Sequence, residues 1–326
     1  MRYSALMSSF DEEGDATGGE DIVGVLGLGA MGEPMARRLL AARGRIVVHA
    51  RRHHSSLVAA GATWAHTPAE LARQADAVLV MLPDLPDLEA LLDGPDGLLA
   101  GDRRLLVMIG STSSPTGVRA LAARLREQTG GRVRIVDCPV SGGADGAAAG
   151  TLSIMLGGET ADTQRAARLL SPCGRPVTLG PLGAGEVAKA CNQLIVAATI
   201  LALGEATVLA ERSGIHAQTL WDLLETGYAG SNLLASRKTR LVTGDDSPSG
   251  VARYMRKDLA FAADVAAETG TRAVVLPTLQ AAFEELIEAG LGDRDISVAK
   301  RFVGQRGTSP GSGPGATDGE RRDKTV

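Results

Sequence analysis

Residues 22–42 read IVGVLGLGAMGEPMARRLLAA, and the organisation of the chain follows from this stretch. Ile22–Leu26 is a short apolar run with the pattern of a strand buried on both faces, and Met31–Ala42 has helical spacing. Between them Gly27, Leu28, Gly29, Ala30, Met31 and Gly32 spell GxGxxG. Such a loop is common in isolation and can be a purely structural turn. Placed between a buried strand and a helix, it reads as a dinucleotide-binding turn. Gly27 permits the tight turn, Gly29 lets the backbone approach a pyrophosphate, and Gly32 allows close helix–strand packing. The helix N-terminus offers free N–H groups and the positive end of its dipole to the phosphates.

The cofactor reading extends along the next strands. Arg45–His49 is a second strand, followed by Ala50, Arg51 and Arg52. An NAD site usually places Asp or Glu there to hold the ribose hydroxyls. Two guanidinium groups suit a 2′-phosphate instead, so NADP(H) is the expected cofactor and NAD(H) the alternative. A solvated basic turn is the competing reading. Leu82 and Pro83 end the third strand, and Ser111 and Thr112 follow the next. Carboxyl ends of such strands line the cofactor crevice.

Outward from this unit, strand and helix patterns alternate to about Leu182: strands at Ala77–Leu82, Leu105–Ile109, Val133–Val136 and Thr151–Leu156, helices at Pro68–Gln74, Pro115–Gln128 and Glu159–Leu170. This predicts an α/β domain with a mostly parallel, doubly wound sheet of the Rossmann type over residues 21–182. From Gly183 only helical patterns remain. Gly185 to Arg212 is apolar nearly all round, so a long buried helix should join the first domain to an all-helical one over 183–304. Residues 1–20 and 305–326 read as a disordered leader and tail.

Composition excludes several classes. A net charge of -4 gives no reason to expect nucleic acid or an anionic membrane. The three cysteines are far apart and form no CxxC pair, so neither a zinc site nor a disulfide framework is suggested, and a cytoplasmic setting is expected. No apolar run is expected to reach the roughly 18 residues of a membrane span.

Three segments carry candidate chemistry. Asp137-Cys138-Pro139-Val140-Ser141-Gly142-Gly143 ends a strand in a hydroxyl and two glycines, a turn whose N–H groups suit a carboxylate. In GAGEVAKACN (183–192), Lys189 and Asn192 are three apart and share a helix face. Lys257 and Asp258 sit within a later helix. Burial and nearby positive charge would lower the pKa of Lys189 toward neutrality and suit it to acid–base work. A lysine snorkelling at a helix edge is the alternative on spacing alone.

GLGAMG followed by Met35, then DCPVSGG, GAGEVAKACN and RKDL in this order, resembles the β-hydroxyacid dehydrogenases, including 3-hydroxyisobutyrate dehydrogenase, tartronate semialdehyde reductase and glyoxylate/succinic semialdehyde reductase. The resemblance covers about residues 21–303. It implies an NADP(H)-dependent oxidoreductase interconverting a small β-hydroxy acid and its semialdehyde, with Lys189 as general acid/base. It further implies that Ser141, Gly142, Gly143 and Asn192 bind the substrate, that Thr112 flanks the nicotinamide, and that Lys257 contacts the cofactor side. By the same resemblance Asp258 is a helix anchor, and the chain is a homodimer or homotetramer. The sequence departs from the family pattern at Ala50, Ile109 and Gln193, where Asn, Asp and a second Asn are frequent. Two rival readings are an imine reductase on the same fold, which Lys189 opposes, and a non-catalytic NADP-binding scaffold.

Overall fold

The computed structural model describes residues 21–306, so the leader and all of the expected tail beyond Arg306 lie outside the described residues. The first half alternates as the hydropathy pattern requires. β1 (Val23–Leu26), α1 (Gly32–Arg43), β2 (Ile46–His49), α2 (Ser55–Ala59), β3 (Thr63–Trp64) and α3 (Pro68–Gln74) come first. Next are β4 (Ala77–Val80), α4 (Leu85–Glu89), β5 (Leu105–Ile109), α5 (Pro115–Thr129) and β6 (Val133–Asp137). A second group follows: β7 (Val140–Ser141), α6 (Gly143–Ala149), β8 (Leu152–Gly157), α7 (Thr160–Leu170) and β9 (Gly174–Gly180).

The strand order β3-β2-β1-β4-β5-β6 is parallel throughout. The chain leaves β1 toward β2 and β3, then returns to β4 on its other side. This reversal opens a crevice at the carboxyl ends of β1 and β4, where doubly wound sheets bind their ligands. Alternate strand residues feed two cores: Val25, Val48, Leu79 and Met108 pack on one face, Leu26, Val80, Val107 and Ile109 on the other. Burial on both faces explains the unbroken apolar runs. Beyond β6 the sheet turns antiparallel: β8 pairs with the end of β6 and with β7, and runs parallel to β9.

The α/β domain followed by helices is as expected, but several elements were invisible in the pattern. β3 and β7 are two residues long and carry no periodicity. β9 (GRPVTLG) is an edge strand with Arg, Pro and Thr in it and mostly accessible residues, so it shows no buried run. Gln305, expected in the tail, closes the last helix.

The helical half comprises α8 (Ala184–Arg212), α9 (Ala217–Leu224), α10 (Asn232–Thr243), α11 (Tyr254–Thr269), α12 (Leu276–Glu288) and α13 (Ala299–Gln305). The first turns of α8 rest on β8 and β9, and the remainder is enclosed by α10, α11 and α13. Trp221, Leu241, Leu259, Phe283 and Phe302 fill the core they share. Contrary to the sequence expectation, α8 has the length and hydropathy, 1.8, of a membrane-crossing helix. Packing accounts for part of that composition: α8 is the shared core helix of both halves, but only 44% of its apolar stretch is buried, and Ile195 and Leu209 stand on its accessible side.

Candidate active site

The turn after β1 is shaped by its glycines. Gly27 adopts φ 97°, and a Cβ on Gly32 would strike the Gly27 carbonyl, so both are dictated by the turn itself. Gly29 differs. A Cβ there would meet nothing within 4 Å, so its bareness serves open space in front of the turn and not internal packing. Among the described residues, no side-chain hydrogen bond caps the N-terminus of α1 at Met31. At the end of β2, Arg51 and Arg52 are exposed and have no hydrogen bond or ion pair among the described residues. An open glycine turn at a helix start, beside two exposed guanidinium groups at the end of the next strand, fits a nicotinamide dinucleotide.

The neighbouring loops are tied together. The Leu82 N–H donates to Ser111 Oγ at 3.0 Å, joining the segments that follow β4 and β5. Pro83 lies beside this junction. Lys257 Nζ on α11 donates to the Thr112 carbonyl at 2.5 Å, and the Ser113 N–H donates to Glu186 Oε2 at 3.0 Å. Both halves of the molecule therefore grip the segment after β5.

Asp137, the last residue of β6, is fully buried. Its two carboxylate oxygens accept the N–H groups of Gly183 and Glu186, each at 2.8 Å. These are orphan donors of the first turn of α8, so a strand end caps the helix that no local side chain caps. Burial pushes the Asp137 carboxyl above its ordinary range, against the backbone donors that hold it down. Glu186 is also buried and is pushed well up by desolvation; its Oε1 has no hydrogen-bond partner among the described residues.

One turn further, Lys189 is 8% exposed, not snorkelling. Burial lowers its pKa, while Asp258 and Glu186 oppose that and Lys257 adds to it. Its Nζ donates to Gln193 Oε1 at 2.9 Å. Asn192 Nδ2 donates to the same oxygen at 2.9 Å, and Ser141 Oγ donates to Asn192 Oδ1 at 3.2 Å. Gln193 Nε2 donates to Asp258 Oδ2 at 2.5 Å, and Asp258 Oδ1 lies 3.4 Å from Lys257 Nζ. Gly142 and Gly143 adopt φ 135° and 67° and lead into α6, which the sequence pattern did not suggest.

The structure thus brings Ser141, Asn192 and Lys189 into one hydrogen-bonded group, with Lys257 and Thr112 linked to it through Asp258. Gly27, Leu28, Gly29, Ala30, Met31 and Gly32 form the turn after β1, and Arg51 and Arg52 the end of β2, at the same carboxyl edge of the sheet. Sequence reasoning missed Asp137, Ser113, Glu186 and Gln193 as members of the site. Glu186 and Gln193 stand three before and four after Lys189, a helical spacing that pointed to them.

Two family models match nearly all of the described chain. The NAD-binding domain of 6-phosphogluconate dehydrogenase matches residues 22–183. The NAD-binding region of NADP-dependent 3-hydroxyisobutyrate dehydrogenase matches residues 183–303. An NAD-dependent L-serine dehydrogenase of Pseudomonas aeruginosa is 33% identical over 86% of this chain and 97% of its own length. A probable 3-hydroxyisobutyrate dehydrogenase of Mycobacterium bovis is 37% identical over 77% of this chain and 87% of its own. The solved 3-hydroxyisobutyrate dehydrogenase of Mycobacterium tuberculosis with L-serine has TM-score 0.74 and 31% identity, covering 87% of this chain and 99% of that one. An imine reductase from Myxococcus stipitatus, at 17% identity and TM-score 0.58 over 87% of this chain and 99% of that one, shares the fold alone. With a dinucleotide turn at the switch of a doubly wound sheet, and a buried lysine on the helix that leads into the second domain, the chain belongs to the β-hydroxyacid dehydrogenase family and is an NAD(P)-dependent hydroxyacid dehydrogenase.

Proposed function

We propose that this enzyme interconverts a small β-hydroxy acid and its semialdehyde with NADP(H) preferred, and that Lys189 is its general acid and base. The observation that carries the reading is the buried Lys189 amine held in one hydrogen-bonded group with Asn192 and Ser141. Bound nicotinamide cofactor supplies or accepts the hydride. Lys189 gives a proton to the substrate oxygen in reduction and removes the hydroxyl proton in oxidation. Ser141 and the backbone of Gly142 and Gly143 hold the substrate carboxylate, and Asn192 binds the hydroxyl. Thr112 flanks the nicotinamide, and Lys257 supports it through the Thr112 carbonyl.

The unpaired Arg51 and Arg52 support the NADP(H) preference. We further propose a homodimer or homotetramer, because Ile195 and Leu209 on the outer side of α8 are 65% and 67% exposed. Light scattering at micromolar concentration tests it, and a monomer would refute it. The function itself is tested by initial rates with NADP+ and NAD+ on 3-hydroxyisobutyrate, L-serine, D-glycerate and 4-hydroxybutyrate, and with NADPH on the matching semialdehydes and a cyclic imine. Oxidation of a β-hydroxy acid with higher kcat/KM for NADP+ is expected. Turnover of the imine alone, or no turnover, would overturn it.

A further inference from the structure

Gln193 stands one turn after Lys189 on α8 and is as thoroughly buried as the lysine. Its amide orientation is forced by its neighbours. The Asp258 carboxylate can only accept, so Nε2 faces it at 2.5 Å, and Oε1 is thereby turned toward Lys189 and Asn192. Two donors from two different side chains converge on that single oxygen, each at 2.9 Å. The result is a continuous polar chain from Lys189 through Gln193 to Asp258 and Lys257, ending on the Thr112 carbonyl in the other half of the molecule.

We propose that Gln193 is a positioning residue: a neutral spacer that aims the Lys189 amine toward Asn192 and Ser141 and keeps the Asp258 carboxylate from pairing with it directly. This rests on the reading of Lys189 as acid and base. A buried amine in direct contact with a carboxylate is held as a cation and drawn away from substrate. An amide between the two transmits the orientation without the full charge: its N–H end meets the anion and its carbonyl end meets the amine. The ionisable groups facing Lys189 are Glu186 on its own helix and Asp258 and Lys257 on α11. Asp258 is the one that Gln193 screens.

The test is Gln193→Leu, close in size and without polar atoms, compared with wild type, Asp258→Asn and the double variant. NADPH binding followed by fluorescence and the melting temperature monitor folding. In Gln193→Leu, kcat for hydroxy-acid oxidation should fall by about tenfold through misplacement of the amine. The pH at which oxidation switches on should rise by about one unit, because Asp258 now acts on the lysine directly. Adding Asp258→Asn should return that pH toward the wild-type value. A fall in kcat with an unmoved or lowered limb would show Gln193 to be a space filler and overturn the inference. So would a raised limb that Asp258→Asn leaves in place. Lys189→Met in the same assays separates the two readings. If it keeps full activity the acid–base assignment fails. If it is inactive while the Gln193→Leu limb does not move, only the Gln193 inference fails.

Discussion

The Glu186 N–H donates to the Asp137 carboxylate at 2.8 Å, so the end of β6 fixes the first turn of the helix that carries Lys189. Asp137 reaches the Gly183 N–H with its other oxygen at the same distance. Removing the carboxylate in Asp137→Ala leaves two buried donors unsatisfied and should cost about 3 kcal/mol, since hydrogen bonds to charged groups contribute roughly 1.5–3 kcal/mol each. Asp137→Asn keeps one acceptor but turns its NH2 toward the other N–H, so it should lose at least half as much. Urea unfolding curves measure both. A loss below about 0.5 kcal/mol in Asp137→Ala would contradict the capping role.

The glycines of the turn after β1 should separate cleanly. Gly29→Val adds atoms to open space and should leave the melting temperature close to wild type while abolishing cofactor binding. Gly32→Val drives a side chain into the Gly27 carbonyl and should destabilise the fold itself. Differential scanning fluorimetry with and without NADP+ distinguishes them. Equal losses of stability in both variants would show that Gly29 serves packing.

Arg51 and Arg52 have no partner among the described residues, so replacing either with Ala should leave stability unchanged. Calorimetric titration of Arg51→Ala and Arg52→Ala should show NADP+ affinity reduced by about tenfold in at least one, equivalent to about 1.4 kcal/mol, with NAD+ affinity unaltered. A parallel loss for both cofactors would place the guanidinium groups away from the 2′-phosphate.

Lys189→Met should lower kcat by about 10²–10⁴-fold while NADPH binding persists. The same change should stabilise the protein by about 1 kcal/mol at neutral pH, because burial disfavours the charged amine. The sign follows from linkage. Folding lowers the Lys189 pKa below its ordinary 10.5, so between the folded and unfolded values the unfolded chain holds the extra proton. Wild-type stability relative to Lys189→Met should therefore improve as pH rises through that interval. Denaturation at a series of pH values checks it, and a constant difference would contradict it.

On the proposed acid–base role, Lys189 also sets the pH dependence of turnover. Oxidation needs the neutral amine and should increase with pH through a pKa below 10.5, while reduction needs the ammonium and should decline through the same region. Initial rates in both directions measure the two limbs. Limbs that do not mirror each other would assign the proton transfer to another group.

Much of this molecule was legible in linear order, because strand burial and helix periodicity are local properties of the chain. GLGAMG between a buried run and a helix announced the dinucleotide turn, and the end of β2 announced Arg51 and Arg52 without an acid. The long apolar stretch around Lys189 announced a buried helix. What the chain could not show was which distant groups meet that helix. Asp137 lies 46 residues from Gly183 and Gln193 lies 65 from Asp258 along the chain. Their contacts exist only because β6 ends against the start of α8 and α11 folds back along it. β9 was hidden because an accessible edge strand leaves no apolar signature. By itself the sequence determined the two-part architecture and the nucleotide turn; tertiary packing alone decided the surroundings of Lys189, since desolvation and hydrogen-bond partners depend on what is folded against a residue and not on its neighbours in the chain.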